Sequence, residues 1–319
     1  MFISWIRHHG RSADLAAALD IPAIFVDGGS GNVLRRYLRQ WNDTRQAVRS
    51  GRPSHVIVMQ PPLPALLAVL SVREGRRSRL IGDLHTGALE NPKWRWASGI
   101  VLRILRRRGF AVVTNEELAD RVSVRGTEAL VMHDLLPSLP DTLDDTLDDP
   151  KLAELRAKTF ILVPVTYAND EPIDALLEAA SSGRDVTWVL TGRAPTGVSS
   201  SAPPNVYFTG YVSNADFLRL LSWCSAVAAL TTREFTMQRA GYEALGAGKA
   251  LITSNTNTLL RYFEDAAVFT DNSARSIADA GRRALDESRA LALKMTRLRE
   301  AKIASESMAL QSLRDRLSE

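Results

Sequence analysis

The sequence predicts an α/β protein made of two doubly wound, Rossmann-like domains, and three observations support this class. Short apolar runs alternate with helical patterns along the chain, as in parallel sheets whose strands are joined by helices. Runs such as VIVM and AVV are apolar at every position, which is typical of strands buried on both faces. A stretch rich in proline and aspartate, at residues 137–154, interrupts the alternation, which then starts again.

The first half predicts six strands that alternate with five helices. The strands are expected at residues 2–6, 23–27, 55–60, 79–83, 111–115 and 129–133. The helices are expected at residues 12–19, 32–49, 64–74, 92–107 and 116–122.

The second half repeats this pattern. Its strands are expected at residues 160–165, 186–191, 206–209, 226–230, 250–254 and 267–270. Its helices are expected at residues 173–180, 214–223, 236–245, 259–263 and 276–287.

These elements predict a first domain at residues 1–138, a linker at 139–156, a second domain at 157–288 and an amphipathic helical tail at 289–319. Ligands of doubly wound folds bind beyond the carboxyl ends of the strands. We therefore expect the two domains to face a shared cleft and the informative residues to follow strands.

Composition excludes several classes of protein. The chain has 319 residues, of which 45% are hydrophobic and 24% are charged, as in ordinary globular proteins. Cys224 is the only cysteine, so we expect no disulfide framework, no cysteine-based metal site and a reducing, cytoplasmic compartment. The first apolar run is too short for a signal peptide, and no apolar run approaches the roughly 18 residues of a membrane span.

Charge is unevenly distributed. Residues 1–140 contain 20 Lys and Arg against 12 Asp and Glu, a net charge of +8, and the remainder contains 20 against 24, a net charge of −4. A basic half suits a nucleic acid, an anionic membrane or an anionic substrate, but no nucleic-acid recognition motif is present. Seven arginines lie close together in the first half, at positions 76, 77, 79, 103 and 106–108. They could bind an anionic membrane, or they could simply be exposed cations that are favourable at the C-terminal end of a helix, and both interpretations stay open.

Two loops that follow strands in the first half carry candidate side chains. RHHGRS contains His9, Gly10 and Arg11 in a cationic turn. GDLHTG places Asp83 and His85 at a strand end, where a carboxylate and an imidazole could act as general base and orienting group or contact a sugar. A purely structural role for each loop remains the alternative.

Two loops in the second half carry candidates for binding a phosphorylated ligand. VPVTYANDEP supplies Thr166 and Asp170, although the adjacent carboxylates could equally cap the helix that follows. VLTGRAP supplies Arg193, whose guanidinium could bind phosphate.

The stretch TTREFTMQRAGYEALGAGKALITSNT is the most informative. A helix expected to begin at Thr236 would present free N–H groups to a diphosphate, and Glu243, two turns further along, could bind both ribose hydroxyls. The candidates in this stretch are Glu234, Thr236, Met237, Gln238 and Glu243, with Lys249 as a weaker phosphate ligand. A solvated helix face is the alternative for Glu243.

These loops, taken in order, resemble the glycosyltransferases of the GT-B fold. Glu234 and Glu243 followed by GAGKALITS are similar to the donor-binding region of the group 1, or family 4, type of C-terminal domain. That region has seven residues between its glutamates; here there are eight, and Phe235, Thr236 and Met237 replace the usual Gly-Phe-Gly.

A closer resemblance is to the chitobiosyl-diphosphodolichol β-mannosyltransferase family. MQPPLP and GDLHTG resemble its "QNPP…P…DWHN" segment, and four more segments follow in the same order: VVTNEELADRV ("VTxAM"), VMHDLLP ("YDKP"), VTYANDEPIDALLEA ("TSWTxDEDF") and VLTGRAP ("TGKGP"). His-Thr stands where that family has His-Asn.

The resemblance implies transfer of a sugar from a UDP- or GDP-linked donor to a hydroxyl acceptor, either lipid-linked or a growing surface glycan. It implies that Asp83 or His85 faces the acceptor, with residues 9–11 nearby, and that the second domain binds the donor. No metal or other cofactor is expected, because enzymes of this fold generally neutralise the leaving diphosphate with basic residues and a helix dipole; the aspartates of LDDTLDDP lie in the linker and do not follow a strand. Peripheral contact with the inner face of a membrane is a further expectation.

Two other functions stay open. The chain could be a non-catalytic, sugar-nucleotide-binding subunit of a glycosyltransferase complex, because the spacing of its glutamates departs from the family pattern. It could also be a sugar-nucleotide epimerase or a phosphorylase, which share the double fold, although we find no additional acid–base or cofactor residues for those reactions.

Overall fold

The computed structural model describes residues 1–137 and 150–318. The chain divides into two compact units: Met1–Leu135 with Ala304–Glu319 form the first, and Leu136–Ile303 form the second. Most of the predicted linker, including the aspartates of LDDTLDDP, lies outside the described residues.

The first unit contains a parallel six-stranded sheet in the order β2-β1-β3-β4-β5-β6. Its strands are β1 (Phe2–Ser4), β2 (Ala23–Phe25), β3 (His55–Gln60), β4 (Arg79–Leu84), β5 (Gly109–Val113) and β6 (Ala129–Val131). Its helices are α1 (Gly10–Ala18), α2 (Val33–Gly51), α3 (Leu63–Leu70), α4 (Arg73–Arg77), α5 (Thr86–Leu89), α6 (Pro92–Arg95), α7 (Ser98–Arg108) and α8 (Glu116–Ser123).

The second unit contains another parallel six-stranded sheet, in the order β12-β11-β10-β7-β8-β9. Its strands are β7 (Ile161–Pro164), β8 (Trp188–Thr191), β9 (Val206–Gly210), β10 (Ala226–Ala229), β11 (Ala250–Ser254) and β12 (Ala267–Thr270). The helices are α9 (Pro150–Ala153), a 3-10 helix (Glu154–Ala157), α10 (Ile173–Ser182), α11 (Thr196–Ser200), α12 (Asn214–Trp223), α13 (Arg239–Gly246), α14 (Asn257–Phe263), α15 (Ala274–Asp286) and α16 (Ser288–Ser318).

The predicted fold class is confirmed, and each of the twelve predicted strands has a counterpart in the two sheets. Side-chain caps define many helix starts: Asn115 Oδ1 accepts from Leu118 N at 2.9 Å, and Ser213 Oγ accepts from Asp216 N at 3.1 Å. Such caps satisfy N–H groups that have no partner within the helix.

Three helix predictions were wrong in detail. Residues 64–74 form two helices, because Val72 is extended between them, and residues 92–107 divide into α6 and α7. The helix predicted from residue 236 begins at Arg239.

The last helix begins in the second unit and ends in the first. Leu313 is fully buried there in an apolar cluster with Phe2, Ile57, Ile81 and Phe110. Its last turns therefore contribute to the core of the first unit, which explains why residues 304–319 count with that unit. Among the described residues, no helix has the length and apolar character needed to cross a bilayer.

Candidate functional site

A cleft in the second unit opens where the order of strands reverses. From β7 the chain builds β8 and β9 on one side and then returns to build β10, β11 and β12 on the other. Ligands of open α/β sheets bind at such a switch point, beyond the carboxyl ends of the strands. The cleft measures about 670 Å³ and is lined by the loops that follow β7, β8 and β9 and by the start of α13.

The cleft brings together five of the eight side chains predicted to bind the donor: Thr166, Asp170, Arg193, Gln238 and Glu243. They come from three separate segments of the sequence. Their convergence depends on the parallel arrangement of β7, β8 and β10, which places the three strand ends side by side.

The start of α13 is set by the loop before it. Phe235 has a φ of 59°, a left-handed conformation that interrupts a helix, and Gln238 is extended. The Gln238 side-chain nitrogen Nε2 donates to the Leu230 carbonyl at 2.8 Å, which fixes this residue at the end of β10. Helix α13 consequently begins three residues later than predicted, with Arg239 as its first residue.

Glu243 lies one turn into α13 and is paired with a residue that sequence reasoning missed. The Arg239 nitrogen Nε lies 3.6 Å from Glu243 Oε1, and both side chains line the cleft. Burial raises the pKa of Glu243 and Arg239 opposes that rise. The only sequence signal for the pair is its i, i+4 spacing, which brings two side chains onto one helix face.

Asp170 links two of the loops around the cleft. Its Oδ2 accepts from Thr231 Oγ1 at 2.9 Å, and its Oδ1 lies 3.3 Å from Arg233 Nη1. The neighbouring Glu171 accepts from the backbone N–H groups of Thr166 and Ala168, at 3.1 and 2.8 Å. These carboxylates therefore hold the loop after β7 in place, and Asp170 borders the cleft with both oxygens already in use.

The loop after β8 carries Arg193 into the cleft. Arg193 is exposed, and its guanidinium lies 5.9 Å from the centre of the Tyr211 ring. Gly192, just before it, has a φ of +87°, and a Cβ at that position would lie 2.2 Å from the Val165 carbonyl oxygen. Only glycine fits this close approach of the loops after β7 and β8.

Replacing Gly192 by alanine is expected to destabilise the second unit by about 1–3 kcal/mol, the usual range for a strained backbone position. Thermal unfolding followed by circular dichroism measures the change. Gly197→Ala is the matched control, because no atom lies within 4 Å of its Cβ position. An equal melting temperature for both variants would show that the loops tolerate the side chain.

Three predicted donor-site residues do not line the cleft. Glu234 accepts from Asn257 N at 3.1 Å, at the start of α14, and Thr236 Oγ1 donates to the Glu234 carbonyl at 3.4 Å. Met237 packs against the apolar core and its sulfur accepts from the Tyr242 hydroxyl at 3.4 Å. Lys249 donates to the carbonyls of Ser222 and Cys224 at 2.6 and 2.9 Å and is also absent from the cleft lining.

In the first unit, the candidate residues Arg11 and Asp83 form a buried ion pair. Arg11 Nε and Nη2 both donate to Asp83 Oδ1, at 3.1 and 3.0 Å, and Nη1 donates to Asp134 at 3.0 Å. Burial disfavours the charged form of Asp83, but Arg11 and His85 outweigh burial and hold the pKa of Asp83 well below its usual range. Asp134, which sequence reasoning missed, completes the group.

His85 and His9 lie above this pair. His85 Nε2 is 3.0 Å from Asp83 Oδ2; because an ionised carboxylate only accepts, Nε2 carries the proton and Nδ1 of a neutral ring is the acceptor nitrogen. The His9 ring packs edge-on against His85 with centroids 4.9 Å apart, and its Nδ1 accepts from Ser12 N at 3.4 Å. Burial, followed by His85, lowers the pKa of His9.

This arrangement separates two roles. Asp83 is completely buried and cannot touch a ligand, whereas the His85 side chain keeps about 21% of its surface exposed. Asp83 can therefore orient His85 and stabilise its protonated form, while His85 itself can exchange a proton with a bound hydroxyl group.

Comparison with known proteins bears on the fold and on the second unit. Residues 157–287 match the family described as "Glycosyl transferases group 1". No curated protein matches the chain. The solved structures that resemble it share its fold at low sequence identity.

Three of these structures illustrate the range. HepE from Anabaena, solved with UDP and glucose, is 15% identical with a TM-score of 0.69, covering 100% of this chain and 99% of that one. Sucrose-phosphate synthase from Thermosynechococcus elongatus is 15% identical with a TM-score of 0.71, covering 98% and 97%. A Listeria monocytogenes protein named as a UDP-N-acetylglucosamine 2-epimerase is 13% identical with a TM-score of 0.62, covering 92% and 90%.

The family match covers the second unit's cleft, and the structural matches extend over both units. The resemblance to β-mannosyltransferases in particular has no support among these matches. The chain therefore has the GT-B fold, and residues 157–287 of its second unit match the family described as "Glycosyl transferases group 1".

Proposed function

We propose that the chain transfers a sugar from a UDP-sugar to a hydroxyl group of an acceptor. The observation that carries this proposal is the cleft at the switch point of the second unit, where Arg193, Arg239 and Glu243 converge. UDP is favoured over GDP because HepE, which shares the fold, was solved with UDP.

The chemistry of the cleft suits a nucleoside diphosphate. Arg193 and Arg239 are the two cationic side chains among the described residues that line it, and a guanidinium is the side chain best suited to pair with phosphate oxygens. The start of α13 adds the positive end of a helix dipole. We assign the diphosphate to this region and the ribose hydroxyls to Glu243.

These groups provide a way to stabilise the leaving group without a metal. As the bond between the sugar and the diphosphate breaks, negative charge grows on the diphosphate, and two arginines and a helix N-terminus can stabilise that charge. The new bond forms between the anomeric carbon and the acceptor oxygen. His85 Nδ1 takes the proton that the acceptor hydroxyl loses, and the oriented Asp83 stabilises the resulting imidazolium.

A panel of donors tests the proposal. The full chain is incubated with radiolabelled UDP-glucose, UDP-galactose, UDP-N-acetylglucosamine and GDP-mannose, and both bound nucleotide and reaction products are measured. We expect UDP-sugars to bind and to release UDP, slowly with water as acceptor and faster with a sugar or lipid-linked acceptor.

Each of the other possible results would indicate a different function for the chain. Binding without release of nucleotide would indicate a non-catalytic subunit, and conversion of the sugar without release of UDP would indicate an epimerase. Preference for GDP-mannose would replace UDP in the proposal, and failure of all donors to bind would overturn it.

A further inference from the structure

We propose that the start of helix α2 docks on an anionic membrane surface. Val33, Leu34 and Leu38 are 63%, 69% and 54% exposed, although they lie within two turns of one helix. Leu34 and Leu38 are four residues apart and so occupy the same face. Single exposed apolar residues are ordinary, but such a cluster on one helix end marks an interaction site.

The exposure follows from how α2 packs. Its buried residues are Gln40, Thr44 and Val48, all in later turns. Gln40 Nε2 donates to the Val26 carbonyl at 2.8 Å, and Thr44 Oγ1 accepts from the Trp5 indole at 2.7 Å, so these residues attach the helix to the residues that directly follow β2 and β1. The first turns precede these attachments, and their apolar side chains gain nothing from the core of the first unit.

The charge of this segment selects the partner. Residues 33–39 contain three arginines, at 35, 36 and 39, and no acidic residue, and all three are exposed. An apolar stripe beside arginines is the composition of helices that lie in the interface of a membrane with anionic lipids. A neutral protein surface would use the leucines but not the arginines.

The position of this surface agrees with an acceptor held in a membrane. Helix α2 follows β2, so its first turns lie at the edge of the sheet where the strands end, as do Asp83 and His85. The arginines at 106–108 end α7 directly before β5 and so lie at the opposite edge. We therefore place the membrane contact at α2 and not at that arginine cluster. The inference that this membrane contact presents a lipid-linked acceptor rests on the proposed function. The inference of the membrane contact itself does not depend on that function.

Co-sedimentation of the full chain with lipid vesicles tests the contact. Vesicles of phosphatidylcholine alone are compared with vesicles that also contain phosphatidylglycerol, at low and at high salt. We expect binding to the anionic vesicles only, weaker at high salt. The pair Leu34→Ser and Leu38→Ser should lower the affinity about tenfold or more, and the pair Arg35→Gln and Arg36→Gln should lower it by a similar factor.

Matched variants elsewhere on the surface give the test its specificity. Arg106→Gln with Arg107→Gln removes two exposed arginines from the opposite edge, and Leu293→Ser removes a leucine that is 65% exposed. Both should leave vesicle binding unchanged. Circular dichroism checks that every variant is folded.

Three results would overturn the proposal. The first is failure of the folded wild-type chain to bind anionic vesicles. The second is loss of vesicle binding in the α7 variant together with normal binding in the α2 variants. The third is a wild-type dimer that binds no vesicles and that the leucine variants make monomeric. Because no nucleotide is present, none of these results bears on the donor site.

Discussion

Replacing His85 by alanine is expected to lower the rate of sugar transfer about 10²–10⁴-fold, the usual contribution of a positioned general base. The His85 side chain is partly exposed, and its Nε2 is held by the ionised Asp83 at 3.0 Å, which leaves Nδ1 to accept a proton. Affinity for UDP should not change, because the cleft to which we assign UDP belongs to the second unit. Initial rates at saturating donor, together with calorimetric titration of UDP, measure both quantities.

A second histidine serves as the control. His55 begins β3, at the opposite edge of the same sheet, and its Nδ1 is 3.0 Å from the Ser54 hydroxyl. His55→Ala should therefore transfer sugar at close to the wild-type rate. Equal losses in the two variants, or a His85→Ala variant with normal turnover, would remove His85 from the reaction.

Replacing Glu243 by glutamine is expected to weaken the binding of UDP and of uridine about 10- to 100-fold. Hydrogen bonds to a charged group contribute about 1.5–3 kcal/mol, and the ribose offers two hydroxyl donors to one carboxylate. Because uridine carries no phosphate, its loss of affinity reports the ribose contact alone. Glu178→Gln, on the exposed face of α10, makes the same chemical change away from the cleft and should leave both affinities unchanged.

The affinity for uridine should also depend on pH through Glu243. The carboxylate form accepts both hydroxyl hydrogens, and protonation removes that capacity, so affinity is complete above the pKa of Glu243 and falls as the pH drops through it. Since burial raises this pKa above the ordinary value of 4.5, the fall should begin at a higher pH than for an exposed glutamate. In Glu243→Gln the dependence should disappear; its persistence would assign it to another group.

The sequence predicted the strands and the loops better than it predicted individual contacts. Parallel strands are buried on both faces, so β7, β8 and β10 appear as mostly apolar runs, and the residues that follow them must reach one edge of the sheet. Thr166, Arg193 and Glu243 could be placed near one another for that reason.

What could not be predicted depends on pairs that are distant in sequence. Glu234 and Glu243 belong to the same family motif, yet the Glu234 carboxylate accepts from the backbone N–H of Asn257, 23 residues away. Asp83 reads as a candidate ligand-binding carboxylate, but its pairing with Arg11, 72 residues away, buries it. The i, i+4 spacing of Arg239 and Glu243 was only a weak indication of their pairing, because nothing in the local sequence shows that their helix begins in a cleft.

A crystal structure of the chain with bound UDP tests the central claim most directly. The ribose hydroxyls should lie within hydrogen-bonding distance of the Glu243 carboxylate, and the diphosphate should contact Arg193, Arg239 or the first backbone amides of α13. UDP bound anywhere else, or a cleft that stays empty at saturating UDP, would contradict the assignment of the donor site.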